Sequence, residues 1–261
     1  MSSDPREQGC ARNGGDTPCN PTRRRMLAAG AGLLGLSVAP GVFLMQAGAT
    51  SDAGTATGAS PRVRWGLLID TTRCAEGCDA CVRACREENG WAHLGQAPTD
   101  AQWIRKVTVS DPDTGHSQSL PVMCQHCAHP PCVQVCPTGA SMQRADGIVQ
   151  VDKHLCIGCR YCMMACPYKA RSFVHEPVTE FSPNSPRGKG TVESCHLCVH
   201  RIDRGQLPAC VTRCASEGGG AMVFGDLNDP DSDISQALSR HGGRAIRQDL
   251  GLNPGVRYQG I

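Results

Sequence analysis

Aromatic side chains are scarce in this sequence, with three Trp, three Tyr and four Phe among 261 residues. Large rings dominate the energetics of most cores, so the shortage argues against a fold held by apolar packing alone. The chain has no C-x-x-C-H, which excludes covalently attached c-type haem. It has no P-loop, and its G-x-G-x-x-G match, "GAGLLG" at 30–35, follows no strand and is not a dinucleotide fingerprint. No apolar run after residue 50 is long enough to span a bilayer. No nucleophile, general base or substrate-pocket signature stands out, and "REEN" (Arg86, Glu87, Glu88) reads as a solvated face. Five of the 26 basic and three of the 24 acidic side chains precede residue 50, leaving a balanced remainder of 21 each. No nucleic-acid partner and no bond-making chemistry of the chain's own are expected.

Cysteine is what the sequence has in quantity. Sixteen of its 18 cysteines fall in four runs. Run I is Cys74, Cys78, Cys81 and Cys85; run II is Cys124, Cys127, Cys132 and Cys136; run III is Cys156, Cys159, Cys162 and Cys166; run IV is Cys195, Cys198, Cys210 and Cys214. Run III reads C-x2-C-x2-C-x3-C-P, the bacterial iron–sulfur spacing in which three thiolates hold one cubane and the fourth ligates another. A structural zinc site takes two ligands from each of two separated knuckles and has little use for a third thiol in the same turn. Disulfides are disfavoured because thiols two residues apart seldom meet the required Cα geometry. The count fits four [4Fe–4S] clusters, whose Fe–S bonds would stand in for missing apolar contacts. His126, His129, His196 and His200 lie beside the runs; packing or hydrogen bonding is their simplest role, with a His ligand the alternative.

The first 49 residues are of another kind. "TRRRMLAAGAGLLGLSVAPGVFLMQAGA" opens on Arg23 and Arg24, continues as a Gly/Ala-rich apolar stretch and ends on a small-residue site after Ala49. This reads as a Tat signal, or as an anchor if it stays uncleaved. Cys10 and Cys19 lie ahead of the arginines and would leave with the leader. A Tat route carries folded protein, so clusters built in the cytoplasm could reach an oxidising periplasm intact. Residues 50–61 form a small-residue linker. Strands are expected at "VRWGLLID" (63–70), where Trp65 packs, at "WIRKVTVS" (103–110) and at "GIVQVD" (147–152), with a turn in "SDPDTGHSQ". "EFSPNSPRGKGT" (180–191) is a connector, and Asp231 or Ser232 caps a helix in "SDISQALSRHG".

With "HPPC" in run II and "ACPYKAR" after run III, the order of the runs resembles the four-cluster iron–sulfur electron-transfer subunits of membrane redox complexes. These include the subunits paired with dimethyl sulfoxide, polysulfide and nitrite reductases, and the likeness covers residues 62–226. "LPVMCQHCAHPPCVQVCPTGAS", "RGKGTVESCHLCVHRIDRGQLPACV", "FGDLNDP" and "LGLNPGVRYQGI" are most similar to the DsrO-type periplasmic subunits of the Dsr membrane complex associated with dissimilatory sulfite reductase. The resemblance implies an α+β fold of two bacterial-ferredoxin-like double-cluster units related by a pseudo-two-fold. Runs II and III (116–175) are then inserted between I and IV, and residues 227–261 form a C-terminal helix and tail. It implies cross-ligation: site 1 of Cys74, Cys78, Cys81 and Cys214; site 2 of Cys195, Cys198, Cys210 and Cys85; site 3 of Cys124, Cys127, Cys132 and Cys166; site 4 of Cys156, Cys159, Cys162 and Cys136. Run I departs from the pattern by opening C-x3-C, so the loop of site 1 is one residue longer than that of most relatives.

The expected role is a periplasmic electron conduit, membrane-associated through its partners. Those partners are an NrfD-type quinone-interacting membrane subunit, a multihaem cytochrome c and other Dsr subunits. The alternatives are the iron–sulfur subunit of a molybdopterin reductase and, from another class, a zinc-binding structural module. Glu76 and Asp79 among its thiols predict that site 1 has the lowest potential, since nearby negative charge opposes reduction.

Overall fold

The computed structural model describes residues 58–75, 77–91, 95, 99–115, 117–179, 182 and 184–261. The expected leader with its arginine pair, and with Cys10 and Cys19, lies outside them. The described chain is a small α+β structure. It runs β1 (Trp65–Asp70), α1 (Ala80–Asn89), β2 (Ile104–Ser110), β3 (Ser117–Met123), α2 (Pro131–Gln134), β4 (Ser141–Gln143) and β5 (Val149–Val151). It continues through α3 (Tyr161–Ala165), β6 (Ser172–Phe173), β7 (Val192–Glu193), α4 (Val199–Ile202), α5 (Ala209–Glu217), β8 (Met222–Asp226), α6 (Asp233–His241) and β9 (Val256–Gln259). No described helix is long and apolar enough to cross a membrane.

Leu67, Leu68 and Ile69 are buried in succession, the mark of a strand covered on both faces. β1 accordingly lies at the centre of a three-stranded sheet, antiparallel to β8 (Leu67↔Phe224) and parallel to β9 (Leu67↔Val256). Gly66 is required there, because a Cβ would stand 2.6 Å from the Leu227 side chain and 2.9 Å from the Gly255 carbonyl. Trp65 stacks on Phe224 at 5.0 Å, the packing role its position predicts. Ser232 caps α6, its Oγ accepting from the Ser235 N–H, and Ile234 is fully buried.

Three two-stranded ribbons complete the framework: β2–β3, β4–β5 and β6–β7. The expected turn joins β2 to β3, with the Gly115 N–H donating to the Asp111 carbonyl. The tail is part of the central structure. Tyr258, fully buried, donates its hydroxyl proton to the Pro121 carbonyl at 3.1 Å and accepts from Gln125 Nε2 at 3.1 Å. β9 thereby fastens the β2–β3 ribbon and the run II loop to the sheet. The apolar core is small and continuous with the cysteines, for Cys81, Cys85, Cys124, Cys195 and Cys210 pack among Trp103, Ile104, Ile148 and Tyr258.

Candidate metal centres

Each run ends in C-x3-C, a spacing that puts two thiols one helical turn apart on one face. Both lie in α1 for run I (Cys81, Cys85) and in α5 for run IV (Cys210, Cys214). In run II Cys132 sits in α2 with Cys136 just beyond; in run III Cys162 sits in α3 and Cys166 caps it. The preceding loop turns the same way four times. The residue before the second cysteine has positive φ in every run: Gly77 (74°), His126 (45°), Gly158 (72°) and Leu197 (53°). His126 and Leu197 hold a backbone that side chains seldom adopt, which requires surroundings that enforce it. Gly158 has no alternative, because a Cβ there would collide with the Gly190 carbonyl. Run I keeps this turn at Gly77 in spite of its longer opening.

The loops and helices bring the thiols into four groups. The charges of Cys74, Cys78 and Cys214 bear directly on Cys81. Those of Cys195, Cys198 and Cys85 bear on Cys210. Cys124, Cys127, Cys132 and Cys166 line one cavity, and Cys136, Cys156, Cys159 and Cys162 line another. The fourth thiol of each run thus stands with a different run's first three. Adjacent groups also touch electrostatically: Cys81 acts on Cys210, Cys124 on Cys195, and Cys132 on Cys162. The groups therefore follow one another as sites 1, 2, 3 and 4. All eight thiols of sites 2 and 3 are buried, whereas site 1 has Cys74 and Cys78 half-buried and site 4 has Cys159 exposed.

All sixteen described cysteines are free thiols. Among the described residues, no three His, Cys, Asp or Glu side chains converge closely enough for a single ion. A tetrahedral zinc needs its sulfurs about 2.3 Å from one centre. Thiols grouped around a shared space, yet too far apart for one ion, suit a cofactor that offers each sulfur its own iron. Burial, together with Cys132 and Cys166, pushes the Cys127 thiol up to about 12, and burial pushes Cys124 to about 12 as well. Protons remain on such thiols unless a cation displaces them, as iron does on binding.

Donors converge on the sulfurs. Lys106 Nζ on β2 reaches Cys74 Sγ at 2.8 Å, and Arg171 Nη2 reaches Cys132 Sγ at 3.1 Å. The backbone N–H groups of Ser141, Val192 and Leu197 donate to Cys136, Cys156 and Cys195 at 3.3, 3.4 and 3.5 Å. The Asn89 amide approaches Cys85 Sγ at 3.6 Å. Trp91 Nε1 and Ser194 Oγ are buried without partners, and Trp91 lies against Cys85. An orphaned indole N–H beside Cys85 fits a group rich in sulfur acceptors, so the residues present suit [4Fe–4S] clusters.

The neighbouring histidines pack and hydrogen-bond. His126 Nδ1 accepts from the Val149 N–H at 3.1 Å, and burial pushes both His126 and His196 down to about 3. "REEN" is a solvated face only in part: Glu87 is exposed, but both carboxylates of the stretch have partners in run IV. Glu88 binds His200 Nε2 at 2.7 Å and Arg201 Nη1 at 3.0 Å, and Glu87 binds Arg213 at 2.9 Å. These carboxylates clamp α1 to run IV, more than a hundred positions away, a partnership that local charge patterning does not reveal. Lys106 escapes a reading of the sequence for a related reason, since strand pairing brings it to Cys74 from outside every run. Arg171 is visible within "ACPYKAR", but nothing in the spacing gives it a partner.

The 4Fe-4S dicluster domain family matches residues 116–227. The chain is similar to the Hdr-like menaquinol oxidoreductase iron-sulfur subunit 1 of Archaeoglobus fulgidus, 42% identical over 75% of this chain and 82% of that one. It is 40% identical to a tetrathionate reductase subunit of Salmonella typhimurium, over 77% of this chain and 74% of the relative. Protein NrfC of Escherichia coli is likewise 40% identical, over 74% and 78%.

Proposed function

The chain belongs to the family of 4Fe-4S electron-transfer subunits of oxidoreductase complexes, and from that premise we propose that it is a four-cluster wire. Sites 1 to 4, ligated as grouped above, each hold one [4Fe–4S] cluster in two ferredoxin-like double units related by a pseudo-two-fold. The observation that carries this reading is the succession of sites, buried in the middle and open at both ends. A conduit needs that arrangement, with terminal centres within reach of partners and inner ones shielded from water. Bound clusters supply reversible one-electron transfer. The chain's own residues provide sixteen thiolates, N–H donors that stabilise charge on sulfur, and cations at Lys106 and Arg171. None of them is placed to make or break substrate bonds.

We assign the wire to a periplasmic, Dsr-type membrane complex of dissimilatory sulfur metabolism. Its partners there are an NrfD-type quinone-interacting subunit, a multihaem cytochrome c and other Dsr subunits. The relative named as a menaquinol oxidoreductase subunit supports the quinone link, and the run motifs support the Dsr type. A second reading, the iron–sulfur subunit of a molybdopterin-type reductase, is favoured by the tetrathionate reductase relative. Capture of the tagged protein from detergent-solubilised membranes separates the two: a large pterin-binding partner supports the second and overturns the first. Colourless protein carrying zinc, with no dithionite-bleachable absorption, would sink both. Arg23→Lys with Arg24→Lys should strand cluster-loaded protein in the cytoplasm; normal periplasmic accumulation would end the Tat reading.

A further inference from the structure

Two partly buried arginines have carboxylate partners close by. Arg187 forms a two-pronged pair with Glu193, and Arg144 is held by Asp146 and Asp203. Arg171 is different. Its residue is 6% exposed, yet among the described residues it forms no ion pair with a carboxylate, and the charges that bear on it most are those of cysteines. A buried guanidinium without a counter-ion is costly enough that its surroundings must supply one. Its hydrogen-bond partners are Cys132 Sγ at 3.1 Å and Ser141 Oγ at 2.8 Å, while Nη1 has none. It also lies against Cys124, of site 3, and Cys162, of site 4. Ser141, which orients it, donates its own N–H to Cys136 of site 4 at 3.3 Å. One cation therefore stands between two sites, and among the described residues the negative charges that bear on it most are the sulfurs on either side.

We propose that Arg171 is the shared counter-ion of sites 3 and 4, raising both reduction potentials together. The inference rests on the cluster assignment above. An oxidised cubane with four thiolates carries a charge of about −2, and accepting one electron adds one more negative charge. A fixed positive charge favours the reduced form of each neighbour, so deleting it lowers both potentials at once. Lys106 offers the contrast, since it donates to Cys74 and its charge bears on Cys81, both of site 1.

The test is a potentiometric titration followed by electron paramagnetic resonance, with iron analysis, on the cluster-loaded wild type and on Arg171→Gln and Arg171→Lys. The expected result is that Arg171→Gln keeps its iron, two of four transitions move to more negative potential, and two stay. Arg171→Lys should show the same pair moving less. Full iron with no transition moved, or with only one moved, overturns the shared role. If Arg171→Gln loses iron, Arg171→Lys decides. Retained iron with two smaller negative shifts supports the proposal. Iron loss there too overturns it, because a role based on charge must survive a substitution that conserves charge. A wild type without iron would instead sink the cluster assignment itself, so the two failures are distinguishable.

Discussion

The two pairs of runs reach the same interlocked arrangement by different means. Runs II and III lie close in sequence, Cys136 and Cys156 being 20 positions apart, and the β4–β5 ribbon joins them. Their helices, α2 and α3, have only four and five residues. Runs I and IV are separated by 110 positions from Cys85 to Cys195, and their helices, α1 and α5, have ten and nine residues. Closing a longer loop costs more chain entropy, and long-range contacts must offset it. The distant pair has such contacts. Glu87 and Glu88 on α1 bind Arg213, His200 and Arg201, and Arg83 binds Glu217 at the end of α5. The near pair shows one buried arginine in their place. Sequence separation, more than cluster chemistry, sets how much protein each pair requires.

The largest effect expected is at a crossing thiol. Cys214→Ala should cost roughly a quarter of the iron, one site of four, and the loss should fall on Cys74, Cys78 and Cys81. Mössbauer and resonance spectra of Cys214→Ala beside Cys85→Ala assign the lost site. If Cys214→Ala damages the site of Cys195, Cys198 and Cys210 instead, the interlock drawn here is wrong. Next, Glu88→Ala leaves His200 and Arg201 without their partner and should destabilise the distant pair by about 2 kcal/mol. Urea titration followed through cluster absorption should show part of the colour bleaching earlier than in the wild type. A single transition at the wild-type midpoint would mean that the ion pairs do not hold this pair together.

A smaller effect concerns the potential of site 1. Counting charge within run I predicts the lowest potential there, but the fold changes the count. Lys106 lies on Cys74, and Asp79 is paired with Arg83 at 2.8 Å. Lys106→Met should lower one transition by about 60 mV, a tenfold change in a one-electron equilibrium. Asp79→Asn should move it less, because the charge removed is already paired. The opposite ranking would restore the simple count. The smallest effect lies outside both pairs. Ser232→Ala removes the cap of α6 and should cost about 1 kcal/mol, or about 2–4 °C in melting temperature, with every potential unchanged. A moved potential would show that α6 is coupled to the clusters.

These cases mark what a sequence reader can recover. The runs, β1, β2, β5 and the Ser232 cap announce themselves through spacing, alternation and local capping. The helix in run I is missed, although C-x3-C with Gly90 at its left-handed end marks one. β3 is hidden by Pro121, which sits in an edge ribbon where a missing N–H costs little. β6 and β7 are two residues each, too short for any pattern. Glu87, Glu88 and Lys106 are misread or overlooked because their partners are remote in sequence, and local charge patterns carry no information about contacts of that range.

The sheet around β1 has a bearing on synthesis. β1 emerges early from the ribosome, but Leu67 pairs with Phe224 and Val256, 157 and 189 positions later. Its buried apolar strand stays unpartnered until β8 and β9 have been made, an interval in which an open strand edge invites mispairing. A product truncated before residue 256 would leave one edge of β1 bare and the Tyr258 hydrogen bonds unmade. The sheet is therefore complete only once β9 is in place, and its absence leaves a strand edge open to mispairing.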